Sequence, residues 1–96
     1  MDYLHSEQTD KLFKAILQLE DVESCYRFFE DLCTIKEIKD MSQRLDVARL
    51  LSKGLSYQEV ADRTSVSTAT IGRVKRCLEY GPGGYAIAIE ALKDED

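Results

Sequence analysis

Apolar positions recur along the chain at intervals of three and four rather than two, and the elements they predict are helices from one end to the other. Leu12, Phe13, Ile16, Leu17 and Leu19 mark a first helix, which Thr9 or Asp10 is placed to cap. Asp21 opens a second, whose Val22, Cys25, Tyr26, Phe28, Phe29, Leu32 and Cys33 cover more than one stripe of the cylinder. One neighbouring helix would not bury all of that, so two contact surfaces are expected. Thr34 and Glu37 form a capping box at the start of a long helix, which runs to about Lys53. Gly54 then supplies the residue that ends a helix in the left-handed conformation. No alternation of period two persists anywhere, so the fold class is all-α.

The stretch LSYQEVADRTSVSTATIGRVKRCL, residues 55–78, carries the strongest pattern. Ser56 with Glu59 makes a second capping box, opening a helix of about two turns, and Ser67 can cap another helix shortly after the first ends. Two short helices joined by a tight turn make a helix-turn-helix, whose second helix can enter a DNA major groove. Val60, Val66, Ile71 and Val74 supply the apolar contacts, and the small Ala61 is expected to face Ile71 where the helices approach most closely. Glycine would suit the turn, and Ser65 stands near that place at a cost in strain if its φ is positive. A plain helical hairpin would not need the apolar spacing, the small residue and the hydroxyl cap together.

After it, Gly81 and Pro82 stop the helix, and residues 85–92 can form a last one with Ile87, Ile89 and Leu92 apolar. Gly83 and Gly84 read as a flexible joint, since no lysine or serine follows them at phosphate-loop spacing. The closing KDED reads as frayed and solvated.

Ninety-six residues amount to one domain, 44% apolar and 32% charged, so a folded chain is expected, helped by any partner that adds burial. No apolar run approaches the length of a membrane span, and the N-terminal stretch MDYLHSEQTD has no signal-peptide pattern; a cytoplasmic protein is expected. Cys25, Cys33 and Cys77 are odd in number and lack metal-site spacing, so they read as small core residues, with no metal site and no disulfide framework. His5 is the only histidine and lies in a polar terminal stretch. With no clustered histidines, cysteines or paired carboxylates, an enzyme is not expected.

Charge then changes the picture. The chain carries a net −5, yet residues 44–78 hold seven basic side chains (Arg44, Arg49, Lys53, Arg63, Arg73, Lys75, Arg76) against three acidic ones, leaving that part at +4. Basic residues on a helix are usually only a solvated face. On a helix-turn-helix they become a place for phosphates, while the acidic remainder limits non-specific binding. Thr68, Ala69, Gly72, Arg73 and Arg76 are expected on the side of the second helix away from the core. Thr68 and Ala69 can meet base edges, Gly72 can let the backbone approach DNA, and Arg76 and Lys75 suit phosphates, as do the amides at the Ser67 end.

At these residues the chain resembles the tryptophan repressor family, most closely its YerC/YecD branch, over roughly residues 9–92. The segments that carry the likeness are RLLSKGLSYQEV (49–60), ATIGR (69–73) and CLEYGPGGY (77–85). The resemblance implies an intertwined helical homodimer, with residues 9–53 as dimerisation helices that wrap around the partner chain. Such a dimer presents two recognition helices to a palindromic operator. The resemblance also implies an effector arginine at Arg73, and a second at Gln43 or Arg44 depending on a one-residue gap. Where the family has a small glycine beside the bound indole, this chain has Val74, so free tryptophan is disfavoured as corepressor and no cofactor is expected; another small-molecule effector, or none, stays open.

Two functional classes follow. One is a sequence-specific regulator of transcription that binds double-stranded DNA, acting as a repressor by occupying a promoter. The other is a helical interaction module that uses the same fold to hold another protein and touches DNA weakly or not at all.

Overall fold

A computed structural model describes residues 3–95. Its elements are all helical: α1 (Glu7–Leu17), α2 (Val22–Leu32), α3 (Ile35–Ser52), α4 (Tyr57–Thr64), α5 (Thr68–Tyr80), α6 (Gly84–Ala91) and a short 3₁₀ turn at Lys93–Glu95. No strand occurs among the described residues.

The helix starts follow from side chains three residues apart. Glu37 accepts the Thr34 N–H at 2.8 Å while the Thr34 hydroxyl accepts the Glu37 N–H at 3.1 Å, and Glu59 and Ser56 repeat the exchange at 3.0 and 3.2 Å. Asp21 accepts the Ser24 N–H at 2.7 Å. The cap of α1 is Ser6, whose hydroxyl takes the Thr9 N–H at 3.0 Å, so the helix begins earlier than Thr9 or Asp10 would place it. Glutamate at the first helical position extends the turn upstream of the first apolar residue. Gly54, at φ 93°, ends α3 in the left-handed region where a side chain would be strained.

The chain divides into two compact units, Met1–Ile38 and Lys39–Asp96. In the first, none of residues 3–38 is buried. Phe13, Leu17, Val22, Tyr26, Leu32 and Ile35 are all at least half exposed, so the broad apolar surface of α2 meets no enclosing neighbour within its own unit. The second unit has a sealed core of Val47 and Ala48 from α3, Val60 from α4, and Ile71 and Val74 from α5. Leu50, Leu51, Leu55, Ala61, Val66, Leu78, Tyr85 and Ile89 pack around it.

Three expectations need correction. Cys77 is exposed and Cys25 and Cys33 are only half-buried, because Cys77 falls on the outward side of α5 and the other two lie where nothing closes over them. Gly83 and Gly84 are less a free joint than a helix start: Gly83 is the α6 cap at φ 90° and Gly84 its first residue. The chain end is solvated as expected, but rather than fraying from Lys93 it forms a 3₁₀ turn through Glu95, the Lys93 ammonium lying 3.3 Å from Glu90, while Asp96 lies outside the described residues.

Two stability predictions follow. Glu37, Glu59 and Asp21 each accept a backbone N–H that favours the ionised form, which holds all three carboxyls below their ordinary values. A lowered folded value means that the contribution is complete above the unfolded value, 4.5 for a glutamate, and is lost as pH falls through the folded one. Helicity followed by circular dichroism should therefore hold level above that pH and decline below it, with a shallower decline in Glu37→Gln and Glu59→Gln. Ser65 sits at φ 59°, so Ser65→Gly should raise stability by about 1 kcal/mol, read as a shifted urea midpoint at unchanged slope.

Candidate nucleic-acid interface

The joint between α4 and α5 is held by short-range hydrogen bonds. The Thr64 hydroxyl donates to the Val60 carbonyl at 2.7 Å and accepts the Val66 N–H at 3.2 Å. Ser65 is left-handed, its N–H bonded to the Ala61 carbonyl at 2.9 Å, and this is the place where glycine would be expected. Two residues on, the Ser67 hydroxyl takes the Thr70 N–H at 3.2 Å and starts α5. Val60, Ile71 and Val74 are sealed between the helices, with Ala61 packed against them. This is a helix-turn-helix.

With Ile71 and Val74 pinned inward, helical geometry leaves the opposite side of α5 to solvent. Thr68, Ala69, Arg73 and Arg76 are exposed there, as expected from their spacing, and Ser67 is exposed at the start of the helix. Arg73 and Arg76 make no ion pair among the described residues. Lys75 differs. It is half-buried, and its ammonium lies 3.2 Å from the Glu79 carboxylate one turn on, a partly exposed pair within the helix.

Gly72 is half-buried rather than open. The Tyr57 ring lies over it: a Cβ at residue 72 would stand 3.9 Å from Tyr57 Cε2 and 4.0 Å from its hydroxyl oxygen. Tyr57, the first residue of α4, thus joins the exposed surface of α5. The sequence patterns of both helices treat a tyrosine there as one more surface residue; the paired signal, a large ring on α4 and a missing side chain on α5, shows only once the helices are packed.

The suggested effector arginines sit apart in character. Arg44 is half-buried on α3 and Arg73 exposed on α5. An open depression of about 450 Å³ runs along α3, lined by Ser42, Gln43, Leu45, Asp46 and Arg49, and neither Arg44 nor Arg73 lines it. No group of histidine, cysteine and carboxylate side chains suited to a metal ion occurs among the described residues, and none of their helices is long and apolar enough to cross a membrane.

The fold and this surface define a helical protein of the helix-turn-helix class. Residues 7–93 match the family model for the Trp repressor protein, and the chain belongs to the Trp repressor family. It is 50% identical to the uncharacterized protein YerC of Bacillus subtilis (strain 168) over the whole of this chain and 92% of YerC. Among solved structures it is similar to a TrpR-like protein from Eubacterium eligens, with a TM-score of 0.89 and 47% identity across 94% of this chain and 93% of that one. A Trp-repressor-type protein from Staphylococcus aureus also gives a TM-score of 0.89, at 44% identity over 94% and 90% of the two chains.

Because a methyl group at residue 72 would meet Tyr57 at ordinary van der Waals distance, Gly72→Ala should fold normally. It should gain about 0.5–1 kcal/mol of helix stability, measured by urea unfolding.

Proposed function

We propose that this protein is a cytoplasmic, sequence-specific DNA-binding regulator of transcription, which represses by occupying a palindromic operator as a homodimer. The observation that carries the reading is the two-sidedness of α5. Ile71 and Val74 are sealed into the core while Thr68, Ala69, Arg73 and Arg76 stand exposed on the other side of the same helix. In this reading Thr68 and Ala69 meet base edges, Arg73 and Arg76 meet phosphates, and the amides at the Ser67 end add a further anion contact. The small side chains leave much of the discrimination to water and DNA shape.

The dimer is supported by the first unit, where Phe13, Leu17, Val22 and Tyr26 are exposed in a quantity that a stable monomer does not usually leave in water. A second copy is the natural cover in a family whose resemblance implies intertwined chains. Free tryptophan is disfavoured as an effector because Val74, 1% exposed, has its branched side chain packed against Ile71 and Val60, where the family has a glycine.

Selection of binding sites from random duplex DNA, with a solution mass measurement on the same sample, tests this. The expected result is a palindrome with half-sites one helical turn apart, bound by a species of twice the chain mass. Arg73→Ala and Arg76→Ala should each lower the salt dependence of binding by about one unit of slope, Lys75→Ala by less, and the triple variant should abolish binding. Loss of duplex binding in every form, with a protein partner still captured by the triple variant, would instead establish the interaction module.

A further inference from the structure

We infer that Tyr57 is a DNA contact in its own right, its hydroxyl donating to a backbone phosphate beside the bases met by α5. The inference rests on the DNA-binding reading and adds a residue from the other helix to it. Three observations meet at this side chain. Tyr57 is 40% exposed although it is a large aromatic residue, and it lies on the surface where α4 meets the outward side of α5. Its ring lies against α5 at Gly72, with Cε2 3.9 Å from the position a Cβ would take. Its hydroxyl has no hydrogen-bond partner among the described residues, so the donor at its tip is available.

The charges around the start of α4 say which group would do the donating. A helix start ordinarily offers its free amides to an anion. Here the Ser56 amide is already taken by the Glu59 carboxylate at 3.0 Å, which also places a negative charge at that end. The Glu59 N–H is likewise taken by the Ser56 hydroxyl at 3.2 Å, so the carboxylate weakens this end as an anion site while the phenol stands free as a side-chain donor. In a helix-turn-helix the first helix crosses the DNA backbone, and tyrosine hydroxyls are among the side-chain donors that make backbone contacts. Seating the ring against Gly72 fixes the hydroxyl with few rotamers to lose on binding.

Tyr57→Phe isolates the hydroxyl, since it leaves the ring on Gly72 and the fold intact, as circular dichroism would verify. On a duplex recovered by selection, the variant should bind about tenfold more weakly with unchanged base preference. Its salt dependence should equal that of the wild type, because no cation has been removed. A second readout separates contact from packing: duplexes carrying single uncharged methylphosphonate linkages. The wild type should lose affinity at one linkage in each half-site to which Tyr57→Phe is indifferent. Equal affinity and an identical linkage profile for the two proteins would overturn the inference and leave DNA binding standing. Failure of the wild type to bind any duplex would overturn both.

Discussion

The packing of α4 against α5 through Val60, Ile71 and Val74 governs everything that the surface can present. Burying side chains of this size is worth roughly 1.5–3 kcal/mol each. The left-handed turn at Ser65, which the packing requires, costs about 1–2 kcal/mol in a residue with a side chain. The core outweighs the strain, and the turn is tolerated without glycine. Once Ile71 and Val74 are fixed, the outward direction of residues 69, 73 and 76 is no longer a free choice, because a helix turns by a set angle per residue. Core and interface are thus two sides of one constraint.

Electrostatics then acts on a surface already shaped. The chain is net acidic, and one of the three cations on α5 is engaged by Glu79, which leaves Arg73 and Arg76 as its outward charges. Charges separated by more than a screening length of about 10 Å contribute little to each other's fields in salt, so acidic groups beyond that range do little to cancel Arg73 and Arg76. The surplus still discourages loose association with any polyanion. A surface built this way would depend on fit more than on bulk attraction, which is consistent with the small exposed residues Thr68 and Ala69.

What was legible in the sequence is what local chemistry decides. The boxes at Thr34–Glu37 and Ser56–Glu59 and the Ser67 cap each involve residues three apart, and all were read from spacing alone. The unusual φ at Ser65 was legible because two helices packed at this angle need a left-handed joint, whatever residue supplies it. The misses have a common source. Cys77 has an apolar side chain, but its exposure depends on which side of α5 the core takes. The Lys75–Glu79 pair joins a cation of the basic run to a carboxylate one turn beyond it, and the count of charges over residues 44–78 does not reach Glu79. Tyr57 over Gly72 joins residues fifteen apart in sequence, a relation that no periodicity encodes.

The two units differ in how much of their folding they can supply themselves. The second has side chains at or near zero exposure contributed by three successive helices, enough to hold the interface geometry. The first has capped helices but no buried residue among residues 3–38, and caps of the kind seen at Ser6 and Asp21 only fix where a helix starts. Short helices of 11 residues are marginal in water without tertiary burial, so α1 and α2 depend on apolar cover for their persistence. Under the dimeric reading that cover is another copy, and the stability of these helices becomes tied to protein concentration through mass action. The second unit, with its sealed core, is then the part that holds its own helices, while α1 and α2 gain most from the cover.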